Sequence, residues 1–412
     1  MNISENLKKN LRKILIEDEI EAISVVNPEQ FEKNIENFEK ILEENHLKYA
    51  IHSVLKVNHS NALLGVAKSK NLRADVSSIG ELNQALAMGF SGENITSNGP
   101  KNRKFLNKSI EIGATIAVDS IEELEKITKI AREKNQKISI IPRLSAFKDA
   151  PHARFGIAKW LWNLAINIIE KNRENLDVLG YHFHIDTLDV NARIDIFWES
   201  IEFYKKLLAI GFAPKIIDIG GSYGTFYQND SIQNFGNSGV EHQKMYQNPE
   251  YSGEKSLEQI LTKTSQGKPT IKDFLRENNI TLWIEPGRSL LGNNVGFVAT
   301  TVLGTREDSL IVNTHSFALG MREEELPTNP ILVDDADGEK NNFYYFLGNL
   351  CLRSDIIYSR NIGFARKVHE NDIIIFPNMA AYHMDFYETE SIAHPKKVKF
   401  FEDKNGDLAR DF

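Results

Sequence analysis

Short runs of β-like hydrophobicity, each separated from the next by a stretch of helical period, constrain this chain more than any other feature. The runs are 49–55, 73–76, 94–96, 114–118, 138–143, 178–184, 215–219 and 281–284. The clearest helical stretch is 120–134, where Ser120 stands as N-cap, Glu123 follows three residues on, and apolar side chains recur at helical spacing. The stretch 100–113 opens on Pro100 and stops at Gly113, which reads as a second helix. A helix between successive strands starts each one in the same direction, so the strands must pair in parallel. Eight such units close into a (β/α)8 barrel, and residues 28–288 supply the roughly 250 residues that closure needs.

After Arg288 the pattern changes. Segments 295–303, 309–312, 342–346, 372–376 and 396–401 read as strands joined by turns, without long helices between them. Residues 1–27 are expected to join this part, because ILIEDEIEAISVV at 14–26 holds strand-like material. The expected fold class is therefore α/β plus β: a TIM-like (β/α)8 barrel over 28–288, with a β-rich domain from 1–27 and 289–412. Segment 227–255 is rich in Asn, Gln, Ser and Gly without a period, and reads as a lid or a disordered connection, with disorder favoured.

Charge and cysteine content narrow the partners. Lys plus Arg number 49 against 57 Asp plus Glu, and a formal charge of −8 argues against a nucleic-acid or anionic-membrane surface. The longest weakly polar run, 295–304, is too short to span a bilayer, and MNISENLKKN lacks the apolar stretch of a signal peptide. Cys351 is alone, so an internal disulfide and paired-cysteine zinc sites are excluded. These features lead us to expect a cytoplasmic enzyme.

Strand-end residues Lys56, Asp75, Asn98, Asp119, Arg143, His184, Gly220 and Glu285 would gather on the C-terminal rim, where barrel chemistry sits. Lys56 is either a snorkelling surface residue or an amine held for a Schiff base with an aldehyde. Gly220-Gly221-Ser222-Tyr223-Gly224 is either a tight turn or a set of amides closing on phosphate, and lacks the dinucleotide spacing. In Glu285-Pro286-Gly287-Arg288, the guanidinium suits a phosphate and the carboxylate another part of the same ligand; a Glu–Arg pair across a turn is the alternative. His182 and His184 share one strand face, which suits a metal-dependent barrel hydrolase; a hydrogen-bonded interior role for His182 is favoured.

Lys56, His184, the glycines at 220–224, EPGR at 285–288 and LGNLCLRSD at 347–355 occur in that order, with DVSSIGEL at 75–82 and AAY at 380–382. Together they resemble the fold type III pyridoxal-phosphate decarboxylases, the ornithine, arginine and diaminopimelate decarboxylase group. The resemblance covers 49–382 and implies an alanine racemase-like architecture, pyridoxal phosphate as cofactor, a small amino-acid substrate, and a homodimer with shared active sites. It implies no metal. Lys56 would hold the cofactor covalently, His184 would stack on its ring, and Glu285 would pair with the ring nitrogen. Gly221, Arg288 and Tyr382 would contact the phosphate, with Gly220 and Gly287 beside them. Asp75 and Glu81 would order the lysine and the site. Cys351 of a partner subunit would protonate Cα after CO2 leaves.

Three departures bear on the substrate. Leu352 stands where diamine-forming relatives carry an acidic residue, and Arg353 follows. Asn313-Thr314-His315-Ser316 replaces an expected Asp-Gly pair, and Asp186-Thr187 replaces Gly-Ser, with Thr187 keeping a hydroxyl for the cofactor. Losing a buried polar partner costs roughly 10⁴–10⁵ in discrimination, so free basic amino acids should be poor substrates. With Arg353, Asp355 and His315 as substrate-side residues, the reading is an N-acylated ornithine bearing carboxylates. N-citrylornithine, on the way to rhizoferrin-type siderophores, is the closest fit. A diaminopimelate, ornithine or lysine decarboxylase is the alternative within the family, and a hydrolase using His182 and His184 the alternative outside it.

Overall fold

The computed structural model describes residues 3–152, 154–227, 249–265, 267–320, 328–385 and 393–411. Each anticipated barrel run overlaps a strand: Lys48–Val54, Arg73–Val76, Ile95–Ser97, Thr115–Val118, Ile138–Ser145, Gly180–Phe183, Ile216–Asp218 and Thr281–Ile284. Each pairs in parallel with the next. The last returns to the first, with Thr281 opposite Lys48 and Ile284 opposite Ile51, so the sheet closes. The intervening helices start where short polar side chains can satisfy orphan amides. Ser60, Ser78, Asn102 and Ser120 each accept a hydrogen bond from the backbone N–H three residues on.

The sixth run is broken at Leu179, whose carbonyl accepts from both Lys215 and Ile216 N–H. Gly180 follows because nothing larger fits: a Cβ there would lie 1.8 Å from the Ile216 carbonyl oxygen. Gly180→Ala must force two paired strands apart, and we expect it to lower stability by about 3 kcal/mol in urea unfolding.

The second sheet has nine strands among the described residues. Gly296–Thr305 lies at its centre, antiparallel to Ala22–Val26, Ser309–Val312 and Ile373–Pro377. Ala22–Val26 pairs in parallel with Val398–Glu402 on its other side. The residues before it depart from the expected strand. Glu5–Arg12 is an α-helix continued by a π-helical turn, Lys13–Glu17, because Leu7, Leu11, Ile14 and Leu15 recur at helical spacing and bury against the sheet. Ile356–Phe364, Ile331–Leu332 and Leu408–Arg410 are strands that the hydrophobic pattern did not mark.

Residues 228–248 of the anticipated lid or disordered connection lie outside the described residues. Its far end is helical: Pro249–Tyr251 forms one turn, and Gly253–Thr262 is an α-helix capped by Ser252. That overturns disorder for this end. No described helix is long and apolar enough to cross a membrane.

The second domain reaches the barrel rim through residues 380–385. Tyr382 N–H donates to the Val57 carbonyl (2.8 Å), and Asn58 Nδ2 donates to the Ala380 carbonyl (2.7 Å). These bonds fix the two residues that follow Lys56 and bring Tyr382 to the strand ends.

Candidate active site

A cavity of about 900 Å³ opens at the C-terminal ends of the barrel strands. Lys56 enters it from the turn Leu55–Val57, directly after the first strand. Asp75 comes from the second strand, Asn98 follows the third, Arg143 lies on the fifth, His184 follows the sixth, and Glu285 follows the eighth. Gly221, Gly287, Arg288 and Tyr382 complete the lining at the other end. Closure of the barrel thus brings six of the eight rim residues named from strand ends to the cavity; Asp119 instead accepts from Gly156 N–H (3.0 Å), and Gly220 does not line it.

The floor is acidic and dry. Glu285 is 4% exposed and accepts from Asn98 Nδ2 at 3.0 Å through Oε1. Burial pushes its carboxyl well above the usual range, and the charges of Asp218 and Asp75 push the same way. Burial likewise raises Asp75 to about 6, against the opposing charge of Lys56. Asp218 rises to about 7, although its Oδ1 accepts from Gly220 N–H at 2.9 Å. His182 and His184 are both held far below the ordinary imidazole range by burial and by the Arg143 cation, so both are neutral.

The opposite end suits an anion. The 220–224 loop passes so close to the last strand that a Cβ on Gly221 would sit 2.5 Å from the Glu285 carbonyl oxygen. The buried guanidinium of Arg193 donates to the carbonyls of Gly221 (2.6 Å) and Ile219 (3.2 Å), drawing these acceptors towards its own helix, Val190–Ala209. Ser222 and Tyr382 hold left-handed backbone (φ 59° and 73°), a local strain that marks both segments as tightly constrained. The Arg288 guanidinium lies 5.1 Å from the centre of the Tyr382 ring.

Several anticipated residues stand apart. Glu81 is behind the wall, its carboxylate accepting from Ser77 N–H (2.7 Å) and Oγ. Thr187 Oγ1 accepts from Asp189 N–H at 3.1 Å and does not line the cavity, and Gly220 lies just behind Gly221. Cys351 is exposed and, with Leu352, Arg353 and Asp355, lines a separate cavity of about 370 Å³ on the second domain. Asp355 is no substrate reader here: its buried carboxylate accepts from Ser316 N–H and Oγ (2.8 Å each) and Leu350 N–H (2.9 Å). His315 is also buried, accepts from Ala318 N–H at 3.1 Å, and lines a third cavity of about 260 Å³. Within one chain these second-domain residues do not meet Lys56.

The pairing of His182 with His184 as a metal site also fails geometrically. His182 groups instead with Asp218 and Glu285, their ligand atoms all within 4.8 Å, while His184 lines the cavity. His182 is interior as favoured, but neither ring nitrogen has a hydrogen-bond partner among the described residues. Arg143 and Asn98 were visible as strand ends, yet only the structure shows them bonded to one another (Nη1 to Oδ1, 3.3 Å) above Glu285. Arg193 carried no signal, being a charge inside a helix.

Comparison with known proteins agrees with this geometry. The profile of the pyridoxal-dependent decarboxylase, pyridoxal binding domain, matches residues 28–292. An uncharacterized protein of Sinorhizobium fredii is 26% identical over 408 residues, covering 93% of this chain and 88% of its own length. Diaminopimelate decarboxylase of Archaeoglobus fulgidus is 26% identical over 377 residues, covering 85% and 80%. Among solved structures, diaminopimelate decarboxylase of Helicobacter pylori complexed with L-lysine superposes with TM-score 0.74 at 18% identity, over 97% of this chain and 96% of that one. The Paramecium bursaria Chlorella virus arginine decarboxylase bound to agmatine gives 0.75 at 20%, over 96% and 99%.

The cavity fits the cofactor this implies. It holds a free amine at Lys56, a buried carboxyl at Glu285, and a close-packed glycine loop beside Arg288, the three features an aldehyde, a pyridine nitrogen and a phosphate require. With more than half the chain matched and that fit in place, the chain belongs to the pyridoxal-dependent decarboxylases, and pyridoxal phosphate is its cofactor.

Proposed function

We propose that this amino-acid decarboxylase acts on a substrate whose distal end is acylated and anionic, with N-citrylornithine the best fit and rhizoferrin-type siderophore assembly its setting. The observation that carries the reading is the side chain after Cys351: Leu352, followed by exposed Arg353, where an acidic residue would pair a free distal ammonium. The cavity lining supports it. Beyond the cofactor end, the loop after the fifth strand brings His152 and Arg154 to the cavity, and Phe155 lies 5.0 Å from the guanidiniums of both Arg143 and Arg154.

When bound, pyridoxal phosphate supplies an electron sink for the pair left at Cα as CO2 departs. Lys56 offers the amine that tethers it, with Asp75 and Glu81 ordering that side of the site. His184, neutral and beside the glycine loop, offers a flat face for the ring. Glu285 presents a carboxyl to the ring nitrogen. Gly221, Gly287 and Arg288 close on the phosphate with Tyr382, and Gly220 backs them. Cys351 returns a proton to Cα from a second copy of the chain, with Arg353 beside it reading the substrate.

A homodimer accounts for the distance of Cys351 from Lys56 within one chain. Leu303 and Leu352, which line the Cys351 cavity, are 46% and 49% exposed, apolar surface that a second copy would cover. A reduced, cytoplasmic setting suits the lone thiol. The barrel over 28–288 and the β-rich remainder are the proposed domains.

The test is a substrate panel read by CO2 release. N-citrylornithine should exceed ornithine, lysine and diaminopimelate in kcat/KM by at least about 100-fold. Faster turnover of any of those free amino acids would overturn the assignment. Faster turnover of diaminopimelate in particular would favour the second reading, since that substrate also carries a distal carboxylate and relatives at 26% identity act on it.

A further inference from the structure

His182 lies on the sixth barrel strand, wholly buried beneath the cavity floor, with neither ring nitrogen bonded among the described residues. A polar ring desolvated without partners is costly, so its retention calls for a reason. Its Nε2 is 3.7 Å from Glu285 Oε1, slightly beyond hydrogen-bond length. The same oxygen accepts from Asn98 Nδ2 at 3.0 Å. Asn98 is itself fixed, its Oδ1 accepting from Gly99 N–H (3.0 Å) and Arg143 Nη1 (3.3 Å). Among the described residues no hydrogen-bond donor reaches the other oxygen, Oε2.

We propose that His182 is a positioning residue for Glu285: its Nε2–H and the Asn98 amide hold Oε1 between them, and this turns Oε2 towards the ring nitrogen of the cofactor. The proposal rests on the reading of Glu285 as the partner of that nitrogen. It explains why a donor sits under the carboxyl and why the donor is uncharged. Burial, with the cations of Arg143 and Lys56, disfavours a proton on the second nitrogen of His182, so the ring keeps one N–H to give. A cation in this position would compete with the ring nitrogen for the carboxylate; a neutral donor orients it and leaves its charge for the cofactor.

The experiment uses the full-length enzyme reconstituted with pyridoxal phosphate labelled with nitrogen-15 in the ring. Wild type, His182→Phe, His182→Gln and Glu285→Gln are compared by the ring-nitrogen chemical shift and by kcat and KM, with circular dichroism to confirm folding. His182→Phe fills the space without a donor, and should move the shift towards that of an unprotonated ring. It should lower kcat by about 10- to 100-fold with KM nearly unchanged. His182→Gln restores a donor and should recover most of both. Unchanged shift and kcat in His182→Phe, with Glu285→Gln altered, would overturn the role of His182 alone. An unchanged shift in Glu285→Gln would overturn the reading of Glu285, and this proposal with it. A stoichiometric metal in the wild-type enzyme, lost in both His182 variants, would make the residue a ligand and overturn it too. A Phe variant that fails to fold leaves the Gln variant to decide: a shift unlike wild type there counts against the proposal.

Discussion

Lys56→Ala is expected to leave a folded, colourless protein that releases CO2 at least about 10⁴-fold more slowly than the wild type, the scale on which one member of a catalytic unit is lost. The turn that carries Lys56 does not depend on its amine. Leu55 and Val57 on either side are buried, Asn58 N–H closes the turn on the Leu55 carbonyl (3.1 Å), and Tyr382 N–H pins Val57. The side chain itself faces the cavity, so its removal opens space without unpacking the core. What disappears is the only amine among the described cavity-lining residues, and with it the covalent hold on the cofactor. The Lys56 cation also opposes the burial that lifts Asp75, so the Asp75 carboxyl should titrate higher in the variant than its present value of about 6. Absorbance after incubation with pyridoxal phosphate, borohydride reduction with peptide mapping, and CO2 release measure the three consequences. A borohydride-stable label on another lysine, with activity retained, would show that the tether lies elsewhere.

The barrel was legible because each unit is locally consistent. Ser120 and Glu123 announced a helix start, and the Ser120 side chain does accept from Glu123 N–H, at 3.1 Å. Every strand end that the pattern marked with a polar residue lies on the same rim, since parallel closure puts all C-termini together. The second sheet was harder to read. Ile356–Phe364 has Ser359, Arg360 and Asn361 at its centre, so no alternation survives, and its pairing with Asn342–Leu347 gives it its form. Lys13–Glu17 misled for the opposite reason: KILIE is apolar enough for a strand, yet Leu7 and Leu11 upstream continue its helical stripe.

Within the site, the same division holds. Lys56, His184, Gly221, Glu285 and Arg288 sit in motifs whose spacing is local, and the structure brings all five to one cavity. Cys351, Arg353 and His315 lie on another domain, and order along a chain carries no information about distance across two domains. Arg193 was invisible for a third reason. A charge within Val190–Ala209 reads as solvated helix surface until that helix is seen to press against the 220–224 loop, where its guanidinium binds carbonyls rather than water.

Glu285→Gln tests the other end of the cofactor and should lower kcat by about 10²- to 10⁴-fold while leaving the cofactor covalently bound. The amide keeps the shape of the carboxyl and an oxygen for Asn98, so the fold and the floor of the cavity should persist. The difference is a charge. Burial, with Asp218 and Asp75 close by, pushes the Glu285 carboxyl well above the usual carboxylate range in the cofactor-free chain. A basic nitrogen placed against it reverses the preference, because an adjacent cation stabilises the carboxylate that burial alone disfavours. A carboxylate and a protonated ring nitrogen then stabilise one another as a pair, with no net charge added to a dry site. Glutamine carries no charge to stabilise a ring cation, so the ring should stay unprotonated and pull electrons from Cα less strongly. The Lys56 tether is a separate side chain and should be unaffected. Retained borohydride labelling with a slowed CO2 burst is the expected pair of results, and wild-type kcat in this variant would remove Glu285 from the chemistry.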